Sequence, residues 1–347
     1  MLIINDFFKR YKEAVSNQME YLHQRTGGKI ITATRFMNQK AFQKKDRKDN
    51  IYVYPPVLYR ILLIFNILLS RDDIHVFEEE PSFYKRILCN LSRRKIYVSM
   101  YREPYKKYAE HLKKYNKLCG VFVEDDYHKQ KLIDYGIPEH LINISYTPAK
   151  LPRKKNDKPL DISHINLLFA SWNTAEGDPL YERGLIYLLD LLLINQNFYL
   201  TVLLRDSNTK QFIYEIKTRN LEDRATLLDV SEEELLHEFD KCDFVVYPIQ
   251  KKITKDIPNS LIDGIARGKP VILSTIFGFA RTVNNENLGY VIEPNTKPFV
   301  INVDENEYKK MSENAYIVSE RYTKEMYVDS IVKNYVVWSS EDESSDY

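Results

Sequence analysis

Short apolar runs of the β-strand type alternate with amphipathic helical stretches along the whole chain. Ile51–Tyr54 and Ile74–Phe77 are two such runs in the first half, and Ile165–Phe169 and Phe244–Tyr247 are two in the second. Strands that are separated by helix-length segments pair in parallel, because each return to the sheet requires a crossover along its face. The alternation therefore predicts an α/β protein built from doubly wound, Rossmann-like parallel sheets.

The length of 347 residues and one irregular segment divide the chain. Domains usually contain roughly 100–200 residues, so two are expected. Residues 147–159 are rich in proline and charge and show no periodicity, which places the domain boundary there. We predict domains over 1–150 and 151–320, a C-terminal helix over 321–338 that can cross back to the first domain, and a disordered acidic tail over 339–347.

The net charge of +1 conceals a strong asymmetry. Residues 1–157 contain 30 Lys and Arg against 18 Asp and Glu, whereas the remainder contains 20 against 31. A basic half indicates an anionic partner such as a lipid headgroup, a phosphorylated acceptor or a nucleic acid. The alternative is a solvated lysine-rich surface that the acidic second domain balances. No basic motif with interleaved aromatic residues supports a nucleic acid, so we expect no nucleic-acid partner.

The cysteines and the N-terminal sequence predict the cellular compartment of the protein. Cys89, Cys119 and Cys242 lie far apart, are odd in number and lack metal-ligand spacing, which predicts a reducing, cytoplasmic setting. The N-terminal residues lead directly into a charged helix, so no signal peptide is expected. The longest apolar run, Val57–Leu69, contains Arg60 and is shorter than the about 20 residues of a membrane span. It predicts either a buried helix or an element that docks on a membrane.

A helix is predicted to begin at Pro258-Asn259-Ser260, in a loop that follows a strand. The free N–H groups and the dipole of a helix N-terminus suit an anion or a ring of hydroxyl groups. Asp263 would lie on the first turns of this helix, where its carboxylate can accept hydrogen bonds from a vicinal diol. The alternative interpretation is an ordinary capped helix with a surface aspartate. Gly268 is expected to end the helix.

The stretch from Lys255 to Val271 resembles the signature of the retaining family 4 glycosyltransferases, also described as glycosyl transferases group 1. In that signature a Glu, seven residues and a second Glu precede Ala-x-Ala-x-Gly-x-Pro-Val, and residues 268–271 match its end. The resemblance implies a GT-B fold, in which two Rossmann-like domains face a central cleft. It also implies that Asp263, at the second acidic position, holds the ribose of a nucleotide-sugar.

The first acidic position of the signature is occupied by Lys255, and Asp256 lies one place away. The family directs its first Glu at the hydroxyl groups of the donor sugar. Three hypotheses follow: Asp256 reaches the sugar, Lys255 binds an anionic sugar, or the sugar site is lost. We therefore treat both residues as catalytic candidates.

The end of one second-half strand resembles the family's diphosphate-binding segment. Phe169–Asn173 is similar to the family's strand that ends in Gly-Arg, and it includes Ser171 and Trp172 as donor-binding candidates. Trp172 stands where the family has its diphosphate-binding Arg. Arg205, at the end of the next predicted strand, can replace that missing Arg.

Two further segments resemble the family's donor side. Glu182-Arg183-Gly184 is similar to the family's Glu-Lys-Gly. Arg183 is therefore the first candidate for the diphosphate, because a guanidinium suits bidentate phosphate binding. Gly278 lies where the family has a glycine-containing loop near the donor.

The ends of two first-half strands resemble the family's acceptor side. Residues 74–83 include Glu78, and residues 101–104 include Arg102, where the family often has His, and Glu103. The resemblance implies that these three side chains face the acceptor.

The resemblance implies a glycosyltransferase that moves a sugar from a nucleotide diphosphate sugar to a glycan or lipid-linked acceptor with retention of configuration. Such enzymes need no metal, and the donor is the only small molecule required. The basic first half predicts that the enzyme sits peripherally on an anionic membrane surface. The alternative, motivated by Lys255 and Trp172, is a catalytically impaired GT-B subunit that binds or stabilises another glycosyltransferase.

Overall fold

A computed structural model describes residues 1–6, 14–33, 50–170, 179–203, 209–251 and 257–341 of the chain. These residues form two compact units. The first unit comprises residues 1–148 and the segment from Lys324 onward, and the second comprises residues 149–323. The chain therefore completes the second unit and then returns to the first.

The first unit contains one seven-stranded parallel sheet within its described residues. Its strands are β1 Leu2–Asn5, β2 Lys29–Ala33, β3 Ile51–Tyr54, β4 Ile74–Glu78, β5 Ile96–Met100, β6 Leu118–Val123 and β7 Ile142–Ile144. Their spatial order is β3-β2-β1-β4-β5-β6-β7. The direction in which strands are added therefore reverses between β1 and β4, which is the topological switch point of a doubly wound sheet.

Helices cover both faces of this sheet. They are α1 Ala14–Thr26, α2 Pro56–Leu69, α3 Phe83–Leu91, α4 Lys106–Leu112 and α5 Asp126–Asp134. Because side chains alternate along a strand, neighbouring residues such as Ile3 and Ile4 enter different cores. Ile4 packs in the core that includes Leu63 of α2 and Leu88 of α3, whereas Ile3 packs in the core that includes Leu22 of α1.

The second unit contains one six-stranded parallel sheet within its described residues. Its strands are β8 Ile165–Ala170, β9 Phe198–Leu203, β10 Ala225–Leu228, β11 Phe244–Tyr247, β12 Val271–Ser274 and β13 Gly289–Ile292. Their order is β10-β9-β8-β11-β12-β13, the strand order of a Rossmann domain, with its switch point between β8 and β11. Its helices are α6 Pro179–Glu182, α7 Leu185–Ile194, α8 Thr209–Thr218, α9 Glu232–Lys241, α10 Asn259–Ala266, α11 Ala280–Asn285 and α12 Glu305–Val318.

The predicted end of α10 is confirmed. Gly268 has φ +65°, and its N–H donates to the Ile265 carbonyl at 2.9 Å. This left-handed conformation is one that glycine adopts without steric strain, so the helix stops where the sequence indicates.

Residues 149–159, which the sequence suggests to be an irregular linker, pack on the second unit. Lys154 N donates to the Ala266 carbonyl at 2.8 Å, and Arg267 Nη1 donates to the Pro152 carbonyl at 2.9 Å. Asn156 Nδ2 donates to the hydroxyl of Tyr308 at 2.9 Å. Single hydrogen bonds of this kind hold a segment without giving its sequence any periodicity.

The last helix, α13 Lys324–Glu341, belongs to the first unit. Tyr327 and Ile331 are buried in the core beneath it, and the Tyr335 hydroxyl is hydrogen-bonded to His75 Nδ1. The helix extends three residues into the predicted disordered tail, and residues 342–347 lie outside the described residues. Among the described helices, none combines the length and the apolar character that crossing a bilayer demands.

Candidate active site

The switch point of the second sheet brings together the segments that follow β8 and β11. Ligands of open α/β sheets bind beyond the carboxyl ends of the strands at this position, because the helices on either side diverge there. The described residues nearest to it are the turn between α6 and α7 and the chain that leaves β11. The geometry of these two segments defines the candidate site.

Main-chain hydrogen bonds join the two segments at Glu182. Its carbonyl accepts the N–H of Gln250 at 2.9 Å and that of Lys251 at 3.4 Å. Lys251 Nζ also donates to Glu182 Oε1 at 2.7 Å, whereas Glu182 Oε2 is buried and has no hydrogen-bond partner among the described residues. The α6–α7 turn is thus fixed to the end of β11.

Gly184 permits this close approach. It has φ +77°, and a Cβ at this position would lie 1.9 Å from the carbonyl oxygen of Pro248. Any side chain would therefore push the turn away from β11. The glycine of the Glu-Arg-Gly sequence is thus explained physically: it lets this turn lie against the chain that leaves β11, and the residue at the position before it is an arginine.

Arg183 occupies that position and is 6% exposed. Its burial beside the switch point agrees with the predicted place of a diphosphate ligand, since a desolvated guanidinium binds phosphate oxygens more strongly than an exposed one. The role itself stays a prediction.

A second loop is tied to the site through residues that no motif indicated. Gln250 Oε1 accepts the N–H of Asn295 at 2.7 Å, and Gln250 Nε2 donates to the Pro248 carbonyl at 2.6 Å. The Tyr181 hydroxyl donates to Asn295 Oδ1 at 2.6 Å. The loop after β13 is thereby held against the loop after β11.

The N-terminus of α10 also follows β11. Pro258 is its N-cap and provides no side-chain cap, while Asn259 is exposed and Ser260 is half-buried. The first N–H groups of a helix have no acceptor within the helix, so those of Asn259 and Ser260 are oriented to bind an anion.

Asp263 lies one turn further along α10 and is 6% exposed. Its Oδ1 accepts the N–H of Lys150 at 2.7 Å and that of Leu151 at 3.0 Å. Burial raises the pKa of Asp263 to about 6, although the two N–H groups act in the opposite direction. The alternative of an ordinary capped helix with a surface aspartate is therefore wrong. Ribose binding stays a prediction, and among the described residues none hydrogen-bonds the other oxygen, Oδ2.

The loop after β12 contributes Ser274 and Gly278. Ser274 Oγ is buried and has no hydrogen-bond partner in the described part of the chain, and the Ser274 carbonyl accepts the N–H of Phe277 at 3.3 Å. Gly278 lies in the turn that leads into α11. Since β12 is the neighbour of β11, this loop lies on the same edge of the sheet as the α10 N-terminus. The remaining donor-side candidates, Ser171, Trp172, Arg205, Lys255 and Asp256, lie outside the described residues.

The structure corrects the prediction for Glu78. Its side chain is fully buried at the end of β4, where it accepts hydrogen bonds from Tyr108 at 3.1 Å and Tyr115 at 3.2 Å. Lys85 Nζ lies 4.0 Å and His111 Nε2 lies 3.6 Å from its oxygens. A carboxylate enclosed in this way cannot face an acceptor, and its partners all lie in the interior of the first unit.

The other two acceptor-side candidates are accessible. Arg102 is exposed and forms ion pairs with Glu79 and Glu80. Glu103 is half-buried and accepts hydrogen bonds from the Tyr127 hydroxyl at 3.0 Å and from Lys131 Nζ. Both follow β5, and unlike Glu78 neither is fully buried, so their acceptor role stays a prediction.

Asp6 is a residue that the sequence reasoning did not select. It ends β1 at the switch point of the first sheet, and its side chain is 60% exposed. Lys85 Nζ lies 3.0 Å from one oxygen, and the Tyr59 hydroxyl donates to the other at 3.2 Å. The buried lysine comes from 79 residues further along the chain, so no local signal marks this pair.

Comparison with known proteins agrees with this architecture. Residues 181–318 match the family model of glycosyl transferases group 1. Anabaena Alr3699/HepE, solved in complex with UDP, has a TM-score of 0.72 at 12% identity, over 97% of this chain and 99% of that one. No curated protein matches the chain in sequence.

Two other solved structures are similar over nearly their whole length. A glycosyltransferase from Rickettsia africae has a TM-score of 0.69 at 17% identity, over 99% of each chain. Sucrose-phosphate synthase from Thermosynechococcus elongatus has a TM-score of 0.66 at 13% identity, over 98% of this chain and 99% of that one. These similarities confirm the predicted GT-B fold of two parallel-sheet α/β domains.

Proposed function

We propose that this chain, which has the GT-B fold and a glycosyl transferases group 1 domain, transfers a sugar from a nucleotide diphosphate sugar to a glycan or lipid-linked acceptor. The observation that supports this most directly is the position of Arg183. It is buried at the switch point of the second sheet, on a turn that Gly184 allows to lie against β11.

The donor is proposed to be a uridine diphosphate sugar. Anabaena HepE has been solved with UDP and with UDP-glucose, and its fold extends over 97% of this chain. Arg183 would bind the diphosphate bidentately, and the N–H groups of Asn259 and Ser260 would bind the same anion at the start of α10. The backbone around Gly278 would complete the site, and Asp263 would bind the ribose through Oδ2.

Transfer would proceed with retention of configuration and without a metal. As the bond between the anomeric carbon and the diphosphate oxygen breaks, negative charge develops on the diphosphate. Arg183 and the N-terminus of α10 would stabilise that charge, because groups held in place by the fold need little reorganisation during the reaction. The leaving diphosphate then takes the proton of the acceptor hydroxyl on the same face of the sugar, and the new glycosidic bond forms there.

Nucleotide binding tests the proposal. We expect UDP to raise the melting temperature of the chain, since a ligand at 100 times its Kd stabilises the native state by about 2.7 kcal/mol. Arg183→Ala should weaken UDP binding about 10- to 100-fold, the effect of losing a charge-assisted pair. Arg321→Ala, which removes a half-buried arginine of the same unit that pairs with Glu286, is the matched control and should leave binding unchanged. Equal UDP affinity in both variants would contradict the assigned role of Arg183.

The catalytically impaired subunit remains the alternative function, because Lys255 stands where the family has its sugar-binding Glu. Turnover distinguishes the two functions. If UDP binds but a panel of UDP-sugars, uronic acids included, is neither hydrolysed nor transferred, the subunit function is favoured. If a sugar is transferred, NMR of the product's anomeric proton shows whether configuration is retained.

A further inference from the structure

Helix α2 is apolar on two faces. Tyr59, Leu63 and Ile67, four residues apart, are buried against the sheet. The opposite face has six exposed apolar side chains, among them Ile61 at 49% and Phe65 at 56% exposure. The full set is Val57, Leu58, Ile61, Phe65, Leu68 and Leu69. The sequence left open whether this run is a buried helix or a docking element, and the structure shows that one face is buried and the other is exposed.

Helix α3 extends this surface. Two hydrogen bonds show that it lies beside α2. The Tyr84 hydroxyl donates to the Arg60 carbonyl at 2.6 Å near one end of the pair, and Arg94 Nε donates to the Ser70 carbonyl at 3.1 Å near the other. Its exposed apolar side chains are Phe83, Tyr84, Ile87 and Leu91. We call these ten exposed side chains of the two helices the α2–α3 face.

The concentration of apolar residues on the α2–α3 face is unusual. Single exposed apolar residues are normal on a soluble protein, whereas a contiguous patch marks an interaction site. Of the 21 large apolar side chains that are exposed in the described part of the chain, ten belong to this face.

The charged side chains on the two helices are of one sign. Neither α2 nor α3 contains an Asp or Glu. Arg60, Arg71 and Arg93 are exposed, and no carboxylate of the described residues pairs with them. The nearest acid in sequence, Asp72, faces the N-terminal amine at 3.5 Å. An anionic partner is therefore complementary to this face.

We propose that the α2–α3 face docks on an anionic lipid surface. Aliphatic and Phe side chains would enter the boundary between headgroups and acyl chains, and the three arginines would contact lipid phosphates, as in helices that lie in the plane of a membrane. This docking goes beyond sugar transfer and does not depend on it. It would bring a lipid-linked acceptor to the first unit.

A membrane suits this face better than a protein partner does. Protein interfaces carry about one hydrogen bond per 100–200 Å². Besides Arg60, α2 offers only one polar side chain on its accessible surface, Asn66, and this residue is already bonded to Lys29 Nζ at 2.6 Å and to the Leu62 carbonyl at 2.7 Å. Lipid requires no such pairing.

Vesicle co-sedimentation of the full chain tests the proposal. We expect binding to phosphatidylcholine vesicles that contain phosphatidylglycerol and weaker binding to phosphatidylcholine alone. The double variant Ile61→Asp with Phe65→Asp should bind at least about 10-fold more weakly, since two apolar side chains no longer enter the lipid. Ile317→Asp, at a 67% exposed position of the second unit, is the matched control and should bind as the unaltered chain does.

Charge is tested separately. Arg71→Gln should reduce binding to the anionic vesicles by about five-fold, the contribution of one basic residue near such a surface. The UDP-induced thermal shift should persist in every docking variant, which shows that the fold and the donor site are intact. The proposal is overturned if the unaltered chain binds neither vesicle, or if the double variant binds as well as the control. It is also overturned if the chain is a dimer that the double variant converts to monomers, since a second copy then covers the face.

Discussion

Asp263 provides the sharpest test of the energetics of the second unit. Its carboxylate is 6% exposed, and burial raises its pKa from 3.8 to about 6. A difference of about two pH units between the native and unfolded pKa corresponds to ~3 kcal/mol. The buried, ionised carboxylate therefore destabilises the native state at neutral pH by an amount that unfolding experiments can measure.

The direction in which stability changes with pH follows from proton binding. Because the native carboxyl holds its proton to a higher pH than the unfolded one, the native state binds more protons between pH 3.8 and about 6. Stability must then fall as pH rises through this window, and the contribution of the protonated group is fully lost above it. An asparagine at this position keeps an oxygen for the N–H groups of Lys150 and Leu151 but does not ionise.

We therefore expect Asp263→Asn to be close to the unaltered chain in stability near pH 4 and to gain up to ~3 kcal/mol relative to it by pH 7.5. Urea unfolding followed by circular dichroism measures the free energy of unfolding of both proteins at each pH. Taking the difference between the two proteins at each pH cancels every other titrating group.

Asp157→Asn is the control for loss of charge, because this carboxylate lies in the same segment as Lys150 and is 79% exposed. The prediction is refuted if the stability difference for Asp263→Asn changes with pH no more than that for Asp157→Asn, or if the Asp263→Asn variant loses stability as pH rises.

Two further predictions concern close packing and buried charge. Gly184→Ala should destabilise the second unit by more than ~3 kcal/mol in urea unfolding, because its Cβ meets a carbonyl oxygen. Gly27→Ala, with φ +64° and open space around it, should cost only about 1 kcal/mol, and similar losses would refute the clash. Lys85→Met should destabilise the first unit by ~3–5 kcal/mol, because the buried carboxylate of Glu78 loses the positive charge beside it. Lys113→Met removes a surface pair and should change stability by less than ~1 kcal/mol; comparable effects would contradict the buried-charge argument.

The strands were predictable because buried strands consist mainly of apolar residues. Ile51–Tyr54 and Phe244–Tyr247 agree with the prediction residue for residue, since strands of parallel sheets are apolar runs bounded by polar turns. Ile142–Ile144 was not predicted. It has three residues, only one of them buried, and it is a strand because it pairs with β6, which is a tertiary contact.

The candidate site was predictable only where its residues are neighbours in the sequence. Arg183 and Gly184 are adjacent in a motif, and the glycine's conformation confirms that a special backbone was needed there. Gln250 and Asn295 were missed because 45 residues separate them and the Gln250 side chain accepts a main-chain N–H. A hydrogen bond to a backbone N–H places no demand on the neighbouring sequence, so no spacing could indicate it.

Glu78 shows why a run of like charges is ambiguous. It is followed by two more glutamates, and such runs are usually solvated. The strand β4 extends through Glu78, which places this side chain inside, whereas Glu79 and Glu80 lie beyond the strand and are exposed. Its partners Tyr108 and Tyr115 come from 30 and 37 residues away, so their convergence depends on the fold.

The α2 helix poses the opposite difficulty, since its sequence is apolar at almost every position. A helix with one apolar stripe reveals which face is buried, whereas a helix that is apolar all round does not. Folding requires only Tyr59, Leu63 and Ile67, which fill the core against the sheet. The exposed side chains Ile61 and Phe65 contribute nothing to that core and leave apolar surface in water, which disfavours a soluble monomer. The same face lies among arginines that have no carboxylate partner in the described part of the chain, and a solvated surface needs neither feature. A surface that is buried against an anionic partner requires both exposed apolar side chains and arginines. The α2–α3 face is therefore explained by what it binds and not by how the unit folds.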